Sequence, residues 1–303
     1  MPDWDAEVSI DAAVVDALLS EQFPQLDASS ARLLGEGWDN AVWVVEETWA
    51  FRFPRRQIAI PGVRRELAVL PRLAPLLSIP VPVPMFVGQQ SERFPWPFFG
   101  TRLLPGNEIA DAGLSDEARV AVGVELGRFL RELHAPELRA RVDPDDSLPV
   151  DPLGRADVGK RVAMARKNLG ELESTGAWQG NPFVERVLEH ASRLAPRERV
   201  FVHGDLHLRH VLVENESLAG VIDWGDCCTG DPSIDLHVAW SLLPPEGREA
   251  FFAEYGAVDE DVDSRARVLA LGLCSMLAVY AHSVGNANLL RESVDGLERT
   301  LLE

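Results

Sequence analysis

Two textures alternate along the chain. From residue 33 to residue 104 the apolar positions come in short runs broken by glycine, proline and charged pairs. Beyond residue 106 they recur at helical spacing. Residues 11–19 (DAAVVDALL) predict a short amphipathic helix. After Leu33 come a glycine turn at Gly35-Glu36-Gly37, a strand over 41–45, a tight turn at Glu46-Glu47-Thr48 and a strand over 49–53 closed by Pro54. Residues 63–77 predict a helix that Pro71 kinks or divides. The stretch IPVPVPMFVG is extended, and residues 96–104 make a further strand ending at Pro105-Gly106. Then the helical spacing sets in. Ser115 precedes a helix over 115–134 as its N-cap, with acidic residues in the first turn, and further helices fall at 155–173 and 182–194. Strands at 200–202, 211–213 and 220–222 interrupt this run before helices at 234–243 and 264–284. The layout is α+β and bilobal, with a small β-rich lobe over residues 1–105 and a larger, mainly helical lobe over 106–303. Ligand sites favour clefts between such lobes.

Composition removes several classes. With 46% hydrophobic and 25% charged residues the chain is neither disordered nor fibrous. No uninterrupted apolar run approaches the roughly 20 residues that span a bilayer, so no membrane partner is expected. The acidic N-terminus lacks the basic start of a secretory signal. The 29 basic and 48 acidic residues give a net charge of −19, which repels nucleic acid and anionic membranes and attracts cationic ligands. Cys227, Cys228 and Cys274 include an adjacent pair and an odd one, with no CxxC. That usage points to a reducing compartment, the cytoplasm by default, and to no thiolate zinc site.

Chemistry concentrates in one block. It reads His203-Gly204-Asp205-Leu206-His207-Leu208-Arg209-His210, and 18 positions beyond Asp205 (223 − 205) comes Asp223 within Ile222-Asp223-Trp224-Gly225-Asp226. A carboxylate beside a reacting hydroxyl orients it and accepts its proton, which suits Asp205. A second carboxylate at a strand end holds a divalent cation against transferring phosphates, which suits Asp223, with His210 as a second ligand. Gly35 and Gly37 let the backbone approach phosphates, Arg52 reaches them, and Glu66 on the next helix steadies Arg52 as an ion pair. Plainer readings stand beside these. Asp205 can be an Asx-type loop residue, Gly35 and Gly37 only a hairpin entry, and Glu66 a surface partner of Arg64 or Arg65. His203 reads as structural, Asp235 as a brace for the loop, and His134 and Trp43 as packing residues.

The block resembles the protein-kinase-like fold and, within it, the aminoglycoside phosphotransferase family. That family carries an H-G-D-x-x-x-x-N loop followed by a D-x-G-type metal segment. His203-Gly204-Asp205 and Asp223-Trp224-Gly225 match in type, order and spacing. Gly230-Asp231-Pro232-Ser233-Ile234-Asp235-Leu236 is similar to the family's G-D-P-x-x-D-L continuation, and Leu130-Arg131-Glu132-Leu133-His134 to its L-x-x-L-H. The likeness runs from about residue 30 to 240. Gly35-Glu36-Gly37-Trp38-Asp39-Asn40 ahead of Phe51-Arg52-Phe53-Pro54 is most similar to the aminoglycoside 2″-phosphotransferases. Arg52-Phe53-Pro54-Arg55-Arg56 also resembles the macrolide phosphotransferases. Two positions depart: His210 stands where the family usually has Asn, and Arg52 where protein kinases have Lys.

The resemblance implies a small-molecule O-kinase, with ATP or GTP as phosphoryl donor and Mg²⁺ as cofactor. Asp205 would act as base, and His210 and Asp223 as metal ligands. Gly35, Gly37, Arg52 and Glu66 would serve the phosphates. Main-chain groups within 99–104, with Thr101 and Leu103 as the binding residues, would meet the base. Net charge and branch similarity together point to a cationic aminoglycoside acceptor. A macrolide, or a metabolic sugar, choline or homoserine, is the alternative acceptor. A non-catalytic nucleotide-binding module is the alternative of another class.

Overall fold

The computed structural model describes residues 6–37, 39–191 and 199–302. Trp38 and the last three residues of the helix expected at 182–194 lie outside the described residues. The chain forms two compact units.

The first unit comprises Met1–Pro75, Pro80–Leu104 and, from far along the chain, Asp223–Asp226. Its elements are α1 (Ala12–Gln22), β1 (Arg32–Glu36), β2 (Asn40–Val45), β3 (Trp49–Pro54), α2 (Ile60–Leu73), β4 (Pro84–Gly88) and β5 (Phe98–Arg102). The strands form one antiparallel sheet in the order β1-β2-β3-β5-β4. One face carries Trp43, Phe51, Phe53 and Phe98, which pack with Val15, Leu18 and Leu19 of α1 into a buried core. Directly paired residues share a face. The pairs Val42–Arg52, Val44–Ala50, Ala50–Thr101 and Arg52–Phe99 therefore put Arg52 on an otherwise largely apolar opposite face.

Two local expectations change. Gly35 does not sit in a turn: it lies in β1 opposite Val42, and the Gly37 N–H donates to the Asn40 carbonyl at the start of β2 (2.8 Å). β1 is an edge strand exposed along its whole length and bulged between Leu33 and Gly35, so it shows no apolar alternation to read. Pro71 does not divide its helix: α2 runs through it to Leu73 with one backbone N–H fewer, and a 3-10 turn over Ala74–Leu76 follows.

The second unit comprises Leu76–Ile79, Pro105–Ile222 and Cys227–Glu303. It starts with β6 (Asn107–Glu108), α3 (Ile109–Ala112), α4 (Asp116–Leu133), α5 (Pro136–Val142), α6 (Val158–Thr175) and α7 (Val184–Ala191). It continues with β7 (Val200–Val202), β8 (Val211–Glu214), β9 (Ser217–Val221) and β10 (Cys228–Gly230). It ends with α8 (Ser233–Leu242), α9 (Pro245–Tyr255), α10 (Glu260–Val284) and α11 (Ala287–Leu301). The strands make two small sheets, β6-β8-β9 and β7-β10. Ser115 caps α4, its hydroxyl accepting from the Ala118 N–H (3.2 Å). By length and composition α10 is apolar enough to cross a membrane, but 56% of its apolar window is buried. Val268, Leu271, Cys274 and Ala278 of α10 form a core with residues of α6, α7 and α11. The helix thus spends its apolar surface inside the fold.

Candidate active site

Within the first unit, Arg52 of β3 is clamped by two carboxylates. Its Nη1 donates to Glu66 Oε1 (2.8 Å) and its Nη2 to Asp223 Oδ1 (2.7 Å). Asn40, turned so that its carbonyl faces the guanidinium, accepts from Arg52 Nε (3.2 Å) and Nη2 (2.8 Å). The Trp224 N–H donates to Glu66 Oε1 (3.1 Å), and an Arg65 Nη1 bond to the Gly225 carbonyl ties α2 to the same segment. Close approach is required here: a Cβ on Gly62 would stand 3.2 Å from the Gly225 oxygen. Asp223 holds a left-handed backbone (φ 64°), a conformation that costs a non-glycine residue of order 1–2 kcal/mol and is kept where the surroundings enforce it.

The clamp sets the charge states. Burial acts to lower the Arg52 guanidinium, but Asp223 and then Glu66 outweigh it and hold the cation firmly charged. Glu66 is 1% exposed, and its Oε2 is buried without a hydrogen-bond partner. Burial, aided by the charges of Asp223 and Asp226 against the pull of Arg52, pushes its carboxyl up to about 7. Asp223 is by contrast 39% exposed.

Within the second unit the 203–210 loop is pinned from behind. The buried carboxylate of Asp235 accepts from the N–H groups of His203 (2.7 Å) and Gly204 (3.0 Å) and from His134 Nε2 (3.3 Å). Gly204 takes a φ of 87°, which admits glycine without strain. Burial alone would raise Asp235; His134 and then His203 hold it below the usual carboxylate range. His203 passes the brace on: its Nδ1 accepts from the Asp205 N–H (3.1 Å), and its Nε2 donates to the Ile222 carbonyl (3.0 Å).

Three side chains surround the Asp205 carboxylate. Arg155, in the loop before α6, reaches Oδ1 at 2.7 Å. His207 Nε2 and His210 Nδ1 stand 3.7 and 3.6 Å from Oδ2, with the two rings stacked at 3.9 Å. Asp205, His207 and His210 are grouped closely enough to hold a metal ion, but their hydrogen bonds qualify this. His210 Nδ1 donates to the Asp205 carbonyl (2.7 Å), which can only accept, so the neutral ring keeps its lone pair on Nε2. His207 accepts the Arg209 N–H on Nδ1 (3.2 Å), so its proton lies on Nε2, facing Asp205. Burial, with His210 next, holds His207 well below its ordinary range and hence neutral. Neither nitrogen turned toward Asp205 therefore has a lone pair to give. Carboxylate oxygens such as those of Asp205 suit a hard cation such as Mg²⁺; His210 can serve one only through Nε2.

A cleft lies against Asp205. Arg155 and Arg161 contribute cations to its wall, Met164, Leu269, Leu273 and Met276 an apolar surface, and Gly204, Ile234 and His237 complete it. Among the described residues, Asp205 is the single carboxylate that lines it.

The structure thus brings Arg52, Glu66 and Asp223 together in the first unit, and Asp205 and His210 in the second. Gly35 and Gly37 flank the β1–β2 turn, and a Cβ added at Gly35 would meet open space. Thr101 is buried in β5 on the Arg52 face. The Leu103 N–H is already given to the Thr48 carbonyl (2.8 Å), which leaves its own carbonyl for any ligand. The sequence offers no signal for Arg155 and Arg161, which stand 50 and 44 positions before Asp205 in no motif.

Comparison with known proteins identifies the class. The profile of the phosphotransferase enzyme family matches residues 30–271, and the chain belongs to that family. Among solved structures it is similar to the GDP and kanamycin complex of an APH(2″) enzyme, with 22% identity, coverage of 94% of this chain and 97% of that one, and a TM-score of 0.67. The GDP complex of an aminoglycoside 2′-phosphotransferase-IIIa matches at 20% identity, 96% and 99% coverage and a TM-score of 0.69. The macrolide 2′-phosphotransferase MphH from Brachybacterium faecium matches at 23%, 93% and 98%, with a TM-score of 0.61. These likenesses establish the mixed α+β fold of the kinase-like phosphotransferases, and the family makes the chain a phosphotransferase enzyme.

Proposed function

We propose that the protein transfers the γ-phosphoryl group of ATP or GTP to a hydroxyl of a small molecule, with Asp205 as the base. The observation that carries this reading is the carboxylate of Asp205 standing on a cleft wall, on a loop whose N–H groups are fixed to buried Asp235. Phosphoryl transfer asks chiefly for such positioning and for charge neutralisation. The acceptor oxygen forms a bond to the γ-phosphorus. The bond from that phosphorus to the β–γ bridging oxygen breaks, its electron pair leaving with the nucleoside diphosphate, and the hydroxyl proton passes to Asp205. Asp223, with His210 through Nε2, would hold Mg²⁺, which when bound neutralises charge on the transferring phosphates. Arg52, kept charged and oriented by Glu66, steadies Asp223 and the phosphate region. Gly35 and Gly37 cover the phosphates, and the face bearing Val42, Val44, Ala50 and Thr101 takes the base, whose edge meets the Leu103 carbonyl.

The proteins named for the similar structures act on aminoglycosides or macrolides, and an aminoglycoside is the acceptor that overall similarity favours. The cleft weighs differently. Its two guanidinium groups act at a few ångströms, whereas most of the −19 net charge is screened beyond about 8 Å at physiological salt. The apolar wall favours an acceptor with an apolar body, the macrolide alternative included, over a polyamine. The three buried thiols, none in a disulfide, accord with a cytoplasmic location.

Mg²⁺-dependent nucleotide turnover against a panel of aminoglycosides, macrolides and simple hydroxyl compounds tests the reading. Asp205→Asn is expected to lower turnover by about 10²–10⁴-fold with nucleotide binding retained. Undiminished turnover in that variant would remove Asp205 from the chemistry, and nucleotide binding without turnover on any acceptor would favour the non-catalytic alternative.

A further inference from the structure

The cleft beside Asp205 has a charge pattern that the phosphotransferase reading does not use. Arg155 and Arg161 both line it, and Asp205, which Arg155 contacts, is the carboxylate among its described lining residues. Two other acidic residues stand near Arg161, but both serve the backbone. Asp151 accepts from the N–H groups of Arg155 (2.7 Å) and Ala156 (3.0 Å). Asp157 caps α6, accepting from the Lys160 N–H (3.2 Å), with the Lys160 ammonium also within reach (3.5 Å). The described hydrogen bonds of the Arg161 guanidinium go to the carbonyls of Arg155 (3.1 Å) and Gly154 (3.4 Å), both neutral acceptors, while Asp151, Asp157 and Asp205 act on its charge only through space. Burial and then the charge of Arg155 pull Arg161 below its ordinary value, the signature of two cations sharing a partly buried wall. His237 adds a buried ring whose Nδ1 has no hydrogen-bond partner; burial pushes it down to about 4, so it is neutral and brings no compensating charge. Met164, Leu269, Leu273 and Met276 supply the apolar part of the same lining.

We propose that the acceptor is a hydroxyl compound with an apolar body and a carboxylate group, the carboxylate held by Arg155 and Arg161. A guanidinium fork matches a carboxylate in two parallel bonds, and a half-buried pair of forks gains most when an anion arrives. The apolar body lies against Met164, Leu269, Leu273 and Met276. The arrangement links binding to chemistry: Asp205 Oδ1 is occupied by Arg155 at 2.7 Å, and a carboxylate that takes over Arg155 frees that oxygen to accept the hydroxyl proton. The step keeps the balance given above: the acceptor oxygen bonds to the γ-phosphorus, the bridging bond breaks toward the nucleoside diphosphate, and the proton ends on Asp205. A polyamine would set like charge against two guanidiniums.

This inference rests on the phosphotransferase reading, and one experiment separates the two. The full-length protein with Mg²⁺ and ATP or GTP is assayed on 3-hydroxybutyrate and 3-hydroxydecanoate, their methyl esters, the matching amino alcohols, and kanamycin. The expected result is kcat/KM for an acid at least about tenfold above that for its ester. Arg161→Gln brings that ratio close to one, and Arg161→Lys restores part of it. A more general loss of folding would lower ester and acid alike and leave the ratio standing, so the ratio isolates the charge. Preference for an ester, an amine or kanamycin overturns the proposal and leaves the kinase reading in place. So does an unaltered ratio in Arg161→Gln, or Mg²⁺-nucleotide binding with no acid-dependent turnover. Failure to bind Mg²⁺-nucleotide at all overturns both.

Discussion

Glu66 shows how one carboxyl can be tuned by its neighbours. It is buried, one of its oxygens lacks a partner, and its carboxyl stands at about 7, well above the 4.5 of an ordinary glutamate. A folded-state value above the unfolded one means that the folded protein binds the proton more tightly. The contribution to stability is then fully present below about pH 4.5 and is lost as pH rises through about 7. Measured by denaturant midpoint, wild type should lose stability relative to Glu66→Gln between pH 5 and pH 8, by up to about 3 kcal/mol. A difference that is flat or rises across that window would mean that the pair with Arg52 dominates burial. The motif residues were legible because their roles are local: Asp205 and Asp223 sit on loops flanked by short apolar strands, and the Asp235 brace follows the same stretch of chain. Arg155 and Arg161 were not legible, because what matters about them is proximity to a residue far along the chain. His210 was legible as a position but not as a tautomer, which depends on one carbonyl.

At the scale of elements, the motif Gly230-Asp231-Pro232 turns out to anchor helices. Asp231 Oδ1 accepts from the N–H (3.0 Å) and hydroxyl (2.5 Å) of Ser233 at the start of α8, and the fully buried Arg265 of α10 meets it at 3.2 Å. Removing one partner of such a pair leaves a buried uncompensated charge. Asp231→Ala should therefore destabilise the protein by about 3–5 kcal/mol, read as a lowered thermal midpoint, with little change in KM for nucleotide in whatever fraction folds. A loss below about 1 kcal/mol would show that water reaches Arg265 in the variant. The strands and longer helices of the chemistry-bearing block follow the spacing of apolar residues. β1 escaped because an exposed, bulged edge strand carries no alternation, and α9 because its buried positions include Gly247 and Arg248, which signal no apolar face. α5 and α11 also go beyond the elements read from sequence, although α11 places Leu289, Leu297 and Leu301 on a buried face at helical spacing.

For the whole molecule the charge of −19 is a property of solubility and cohesion rather than of the site. Exposed pairs such as Arg32–Glu47 are held in water, where solvent screens them and they contribute little each, whereas the net repulsion acts over the whole surface. Raising the salt concentration from about 0.01 M toward 1 M shortens the screening length from about 30 Å to about 3 Å. The melting temperature should rise by a few degrees over that range. A fall would show that the surface pairs outweigh the repulsion. The sequence yields the sum of the charges at once. Their distribution depends on folding, which is why an acidic chain can present arginines at the cleft beside Asp205.

The first unit owns four residues, Asp223–Asp226, that the chain supplies only after building most of the second. A gene fragment that stops at residue 104 would encode the entire sheet and both of its helices. It would lack one of the two anions that clamp Arg52, and the N–H that reaches Glu66. The first unit is therefore not an interchangeable cassette. A chimera that exchanges it between relatives has to carry the 223–226 segment along with it, and in recombination between such genes the two stretches are expected to be inherited together.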